Sequence, residues 1–309
     1  MNMSHRFFDL LITFAIVFFV FACGNDELDV ASELKSYRLL AVQSDLPIVN
    51  FTDQPTLTVI DYHPDELKGN KPEIEYEWKI CPFSIGSSVA YQCFVDEIDL
   101  ESKTNTVTIA LPLILQEAFS KLPGMTSAMM MGDPTQAINM ISDQLPTEAA
   151  DLARGVDLYV KVKSTIKSTN ESFNAVKRIK LNVDPMKAQS NQNPTLKHIR
   201  LYPQLDSYQK GQEIKIEAVI DPMEQETYQS YYTATINDKK IEKVEEKTEE
   251  FVISWFATQG DWEFERTLVD DDPNVYTVGD TEGNTRIYVS VNDGRGGIAI
   301  DFVDIKVVK

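Results

Sequence analysis

The chain has 309 residues, with 29 Lys and Arg against 48 Asp and Glu, and a formal charge of −19. Binding to nucleic acid draws on cationic side chains that neutralise phosphates, so this balance excludes nucleic acid as a partner and disfavours anionic lipid surfaces. The length exceeds what one hydrophobic core usually serves, and two domains of ordinary size are expected.

In chain order, the first feature is Arg6 followed by an uncharged apolar run over residues 10–20 that closes on Val20-Phe21-Ala22-Cys23-Gly24. A basic start, an apolar stretch and small residues at the cut are the parts of an export signal. With Val20 and Ala22 ahead of Cys23, the segment resembles a bacterial lipoprotein signal. That resemblance implies a signal peptide at residues 1–22, lipidation of Cys23 and contact with the membrane through the lipid anchor. Two alternatives compete with it. A plain signal peptide cut nearby would leave Cys23 as an odd thiol. An uncleaved anchor would need roughly 17–25 apolar residues, and the run from Phe7 to Ala22 is shorter and contains Asp9. Each buried acyl methylene contributes about 0.8 kcal/mol, so several chains on one cysteine would hold permanently. Gly24 stands where an Asp would argue for inner-membrane retention, which makes the outer membrane the expected location. Residues 23–36 are acidic and polar and read as a lipidated tether.

Strand-like sequence begins at residue 37. Residues 55–62 alternate apolar with hydroxyl side chains, and Ile74-Glu75-Tyr76-Glu77-Trp78-Lys79-Ile80 alternates apolar with charged ones, the period of half-buried strands. Such spacings predict a β-sandwich over residues 37–184. Cys81 and Cys93 follow Trp78 closely enough to close a small loop in an oxidising compartment, and a disulfide is expected. A closure of this size contributes about 3 kcal/mol by the loop-entropy estimate. A metal site would need more thiols or histidines nearby, and the sequence supplies none.

Residues 111–154 change texture. They are rich in Leu, Ala, Met and Gln and punctuated by Pro112, Pro123, Pro134 and Pro146, which predicts three or four short helices inserted between strands of the first sandwich. Asp133 and Pro134 read as an N-cap and first helical position. Met125, Met129, Met130 and Met131 form a cluster whose structural reading is adaptable core filling. The alternative is a surface for an apolar ligand or a protein partner. Cu(I) is a weaker idea, because adjacent methionines do not converge on one point.

Alternation returns at residues 156–163 and 175–183, and the polar, proline-bounded stretch 185–194 marks a linker. From residue 195 to 309 a second β pattern echoes the first. Residues 196–203 parallel 37–47, residues 211–221 parallel 55–62, and residues 253–258 parallel 74–80 with Trp255 in the place of Trp78. Residues 285–292 and 298–308 are joined by Asp293-Gly294-Arg295-Gly296-Gly297, a hairpin signal. The expected fold is therefore mainly β: two tandem immunoglobulin-like β-sandwiches, the first carrying an α-helical insertion.

The run Ile253-Ser254-Trp255-Phe256-Ala257-Thr258-Gln259-Gly260, then Glu265-Arg266-Thr267, and finally Ile287 through Gly297, resembles the immunoglobulin-like and PKD-like modules of bacterial surface proteins. With the anchor and the Trp-Cys sandwich, the layout is similar to surface lipoproteins of predatory and gliding proteobacteria. This resemblance implies adhesion or a structural role at the cell surface, and it supplies no catalytic residues.

Catalytic constellations are scarce. Beyond the signal only His63 and His198 remain, and no Gly-x-Ser-x-Gly elbow, phosphate loop or His-Glu-x-x-His occurs. The rival class to a non-catalytic binding, adhesion or structural protein is a carbohydrate-active hydrolase using paired carboxylates. No cofactor is expected. Asp270, Asp271 and Asp272 offer hard oxygen ligands of the kind Ca²⁺ takes, but the spacing is not that of an EF-hand loop, and solvated turns are the other account. Glu242, Glu245, Glu246, Glu249 and Glu250 interleave with lysines and read as an exposed hairpin or short helix. Tyr228, Tyr231 and Tyr232 read as strand residues that alternation would partly bury, with a sugar- or peptide-binding surface as the alternative. The expected partners are the membrane and a protein or polysaccharide of the envelope.

Overall fold

The computed structural model describes residues 31–84, 93, 95–121, 155–184, 186–220, 225–236 and 239–309, with the side chains at 233–236 and 239–242 excepted. The predicted signal peptide, Cys23, Met125, Met129, Met130 and Met131, together with the helices expected beyond residue 121 and their Asp133-Pro134 start, lie outside the described residues. Ser32–Lys309 forms one compact unit. Among the described residues, no helix is long and apolar enough to cross a membrane.

The first sandwich packs two sheets. One contains β1 (Arg38–Ser44), β3 (Thr56–Tyr62) and β6 (Thr106–Thr108) in the order β1-β3-β6. The other contains β2 (Ile48–Val49), β4 (Ile74–Cys81), β5 (Ile98–Leu100), β7 (Val156–Ile166) and β8 (Glu171–Leu181) in the order β2-β8-β7-β4-β5, with β2 parallel to β8. Period-two alternation places Tyr76, Trp78 and Ile80 of β4 inward against Leu57 and Val59 of β3. Helix α1 (Leu111–Ser120) sits between β6 and β7, with Pro112 in its first turn, as expected of a residue that lacks an N–H. Its buried residues Leu111, Leu115, Ala118 and Phe119 join the same core, and Phe119 packs on Phe83 at 5.4 Å.

The second sandwich repeats this topology. One sheet orders β15 (Asp261–Trp262), β17 (Asn274–Thr277), β11 (Glu213–Ile220) and β9 (Leu196–Tyr202). The other orders β10 (Tyr208–Gln209), β19 (Ile298–Val308), β18 (Gly283–Asn292), β14 (Val252–Ala257) and β16 (Arg266–Leu268), with β10 parallel to β19. Thus β9, β11 and β14 occupy the places of β1, β3 and β4, and the sequence echo is a structural one. Two tandem immunoglobulin-like β-sandwiches, the first with a helical insertion, are what the chain forms.

Trp78 and Trp255 are each 2% exposed and sit at matching places in the two cores. A buried indole needs a partner for its N–H. Trp78 Nε1 donates to Thr104 O at 2.9 Å, and Trp255 Nε1 donates to Thr267 Oγ1 at 3.0 Å. Cys81 and Cys93 are joined as a disulfide with Cα atoms 5.6 Å apart, stapling the end of β4 to the chain that leads into β5.

Strand β18 departs from alternation. Residues 287–291 of β18 are buried without a break, because both faces are covered. Ile287, Val289 and Val291 fill the second core, while Tyr288 packs edge-on against Tyr62 of β3 at 6.0 Å, in a cluster with Leu34. β12 (Thr227–Ile236) and β13 (Lys239–Thr248) form a separate two-stranded sheet between β11 and β14. The glutamate-rich run expected to be a hairpin or short helix is therefore one arm of a hairpin, with Glu249 buried just after it.

Truncating either tryptophan removes a large buried ring and its hydrogen bond. Trp78→Ala and Trp255→Ala are each expected to lower unfolding free energy by about 3–5 kcal/mol in urea titrations. A loss under about 1 kcal/mol for either would contradict the matching core roles.

Candidate functional site

The turn between β18 and β19 carries a cluster of buried polar side chains. Asp293 is 2% exposed, and its carboxylate is met by four donated hydrogen bonds. Oδ1 accepts from Arg295 N at 2.7 Å and Gly297 N at 2.9 Å, while Oδ2 accepts from Gly297 N at 3.1 Å and Asn191 Nδ2 at 2.8 Å. The glycines make this curl possible. Gly296 has φ +108°, and a Cβ at Gly297 would overlap the Asp293 carboxylate.

The curl aims Arg295 inward, and its side chain is 7% exposed. Nη1 donates to Glu226 Oε2 at 3.0 Å and to Glu249 Oε1 at 2.7 Å, and Nη2 donates to Ser190 O at 2.5 Å. The guanidinium lies over the Tyr228 ring at 4.4 Å. Glu249 Oε2 also accepts from Glu226 N at 3.1 Å. Burial pushes the Glu249 carboxyl upward, opposed by the Glu226 amide and by Arg295. Both carboxylates are thus committed to one guanidinium.

The same turn reaches the first sandwich. Lys177 Nζ donates to Gly296 O at 2.6 Å, Gln43 Nε2 donates to Ile298 O at 2.8 Å, and Ile298 N donates to Asn193 Oδ1 at 2.9 Å. Asn193 Nδ2 in turn donates to Ser44 O at 2.7 Å. Within residues 186–194, Gln189 N donates to Asn182 Oδ1 and Gln189 Nε2 donates to Gln229 O at 2.5 Å.

Above this clasp the edge of β12 frames a groove. A cavity of about 360 Å³ is lined by Tyr228, Ser230, Tyr232, Glu245, Lys180 and Gln189 among others. A second, of about 260 Å³, shares Tyr228, Gln229, Tyr231 and Gln189 with it and extends past residues 186–190 to Arg295. Tyr228 and Tyr231 are half-buried and Tyr232 is exposed. Tyr231 donates its hydroxyl to Gln229 Oε1 at 2.7 Å, and Lys187 Nζ lies 5.4 Å from its ring centroid.

The other residues singled out by sequence lie elsewhere. Asp270, Asp271 and Asp272 are exposed between β16 and β17, and Asp271 Oδ2 accepts from Leu268 N at 2.6 Å, which makes it the cap of that turn. Among the described residues, no three His, Cys, Asp or Glu side chains are grouped to hold a metal ion. His63 Nδ1 accepts from Asp65 N at 3.1 Å and so caps the turn that follows it. Sequence reasoning identified Asp293–Gly297 as a hairpin turn but did not find the roles of Arg295, Glu226, Glu249 and Gln189. An isolated Arg within a glycine-rich turn is the one local signal that could have pointed there.

No family model matches the chain, and no curated protein matches it. Solved structures that overlap it at low similarity include these three. Fibronectin(III)-like modules of CbhA from Clostridium thermocellum are 11% identical, with a TM-score of 0.22 over 86% of this chain and 94% of that one. The D00-D0 domain of intimin is 9% identical, with a TM-score of 0.24 over 89% of this chain and 99% of that one. SGBP-B of a mixed-linkage glucan utilization locus of Bacteroides ovatus, solved with a mixed-linkage heptasaccharide, is 9% identical, with a TM-score of 0.22 over 89% of this chain and 48% of that one. Overlaps this slight carry no argument, and the immunoglobulin-like fold rests on the strand order of the two sandwiches.

Lys177 gives the clasp a pH signature. Burial pushes its ammonium down to about 8, opposed by the Asp293 carboxylate and reinforced by Arg178. The unfolded chain releases this proton in the ordinary lysine range, so between pH 8 and about 10 the unfolded state holds more protons and stability rises with pH. Above pH 10 the buried tyrosines oppose the trend, because Tyr62, raised by burial to about 12, stays neutral only when folded. Lys177→Met removes the first effect and leaves the second. Wild type is expected to gain about 2 kcal/mol relative to Lys177→Met between pH 7.5 and pH 10. A gap that stays constant across that range in urea titrations would contradict the desolvation of the Lys177 ammonium.

Proposed function

We propose that the chain is a lipid-anchored protein of the bacterial cell envelope, held at the outer membrane through Cys23, whose fused sandwiches present a binding surface. The role is non-catalytic: adhesion, ligand capture or structural support. The observation that carries this reading is the commitment of Glu226 and Glu249 to Arg295. A hydrolytic carboxylate pair needs one group free to exchange a proton and a space between the two for the scissile bond. Here the guanidinium fills that space, Glu249 has a side chain only 2% exposed, and the pair instead fixes the base of a tyrosine-rimmed groove. Held rigid in this way, the groove loses little conformational freedom when a ligand enters.

The address is supported by the apolar run that ends at Ala22-Cys23, by the acidic stretch after it, and by a disulfide of the kind that persists in oxidising compartments. Cells expressing the full chain and fed a fatty-acid analogue are expected to label the wild type in the membrane fraction and to leave Cys23→Ser unlabelled. Equal labelling of the two proteins would contradict the anchor.

A further inference from the structure

Three tyrosines on one ten-residue strand need a reason. β12 pairs with β13 and, among the described residues, with no other strand. None of the buried core clusters includes Tyr228, Tyr231 or Tyr232, so their rings do not serve either sandwich core. Alternation sets Tyr228, Ser230 and Tyr232 on one side of the strand, opposite Lys247, Glu245 and Lys243 of β13, and sets Gln229 and Tyr231 on the other. The two cavities share Tyr228, Gln229, Tyr231 and Gln189, so they adjoin along β12 and are treated together as a groove.

The lining decides the ligand. Flat aromatic faces alternate with side-chain amides and hydroxyls, which both donate and accept hydrogen bonds. A sugar ring has this same division, with an apolar C–H face that stacks on an aromatic ring and a rim of hydroxyls that pair with amides and hydroxyls. A peptide fits less well. Strand addition along β12 would need the open main-chain row of that edge, where Gln229 O already accepts from Gln189. An apolar peptide side chain would meet a wall of Lys, Glu, Gln and Ser. The groove is also held in place before any ligand arrives, since Arg295 stacks on Tyr228 and the Tyr231 hydroxyl is fixed by Gln229.

We propose that this groove binds a segment of polysaccharide, with Tyr231 and Tyr232 stacking on sugar rings and Gln189 and Ser230 bonding their hydroxyls. Tyr228 is the positioning residue that ties the groove to the clasp beneath it. The proposal rests on the binding role given above and names its ligand class.

Native affinity electrophoresis of the detergent-solubilised full chain tests it, in gels containing laminarin, xylan, polygalacturonate or soluble peptidoglycan glycan strands. Wild type is expected to be retarded by at least one of these. Its apparent Kd should rise at least tenfold in Tyr231→Ala and in Tyr232→Ala, and stay within about twofold of wild type in Tyr232→Phe, which keeps the ring. Val244→Ala, on the same hairpin but outside the cavity lining, should migrate as wild type. Tyr232 is already 36% exposed, so an unchanged Tm is expected for its variants. No retardation in any of the four gels would overturn the proposal, as would retardation indifferent to the tyrosines, or capture of a random peptide pool in place of glycan. A protein that labels at Cys23 but is never retarded would remove the glycan claim alone. One that is retarded but unlabelled would remove the anchor alone.

Discussion

The carboxylate of Asp293 is almost wholly buried and has to be met by donors, because an unpaired buried polar group is costly, and the polar contacts around the β18–β19 turn follow from how it is met. Its own turn supplies the amides of Arg295 and Gly297, and Asn191 supplies the fourth hydrogen bond. That requirement curls the turn tightly enough to need glycine at 296 and 297, and the curl drives Arg295 into the interior. A buried guanidinium brings the same requirement again, and it is met by Glu226, Glu249 and Ser190 O. Removing one member of such a network leaves the others buried without partners, typically a loss of about 3–5 kcal/mol. The groove above inherits its shape from this chain of dependencies.

The clasp also explains why the two sandwiches behave as one compact unit. Domains in a single chain normally move relative to each other unless their contact is extensive or well packed. Here the turn that closes the second sandwich is held by Lys177 of the first and, through Asn193, by Ser44 O, while Tyr62 meets Tyr288 beside Leu34. The second contact accounts for the unbroken burial along β18, a strand with a core on one side and a neighbouring domain on the other. Residues 186–194 complete the joint, since their polar side chains bond across it and leave little slack.

Much of the fold was legible because its causes are local. Period-two alternation marked β3, β4, β7 and β11, and the repeated tryptophan in β4 and β14 disclosed two copies of one topology. Pro112 marked the start of α1, and Asp293–Gly297 marked a hairpin. The site was less legible because its partners are distant in sequence. Asn191 and Asp293 are separated by 102 residues, and Lys177 and Gly296 by 119. Glu249 was hidden within a charge run whose other described members are solvated, and nothing local distinguishes it from Glu250, which is exposed. The tyrosines of β12 showed strand alternation, but that pattern does not tell a strand of a sandwich from one arm of a separate hairpin. Only the pairing partner decides, and for β12 it is β13 alone among the described strands.

Native-state hydrogen exchange at the amides of Arg295, Gly297 and Ile298 probes the clasp most directly, since all three donate to side-chain oxygens within it. Surface turns ordinarily exchange through small local openings, whereas amides tied into a core exchange only with global unfolding. Protection at these three amides is expected to match that at the centre of β18, with a large loss of that protection in Arg295→Met. Exchange in the wild type at the rate of an open loop would contradict that expectation.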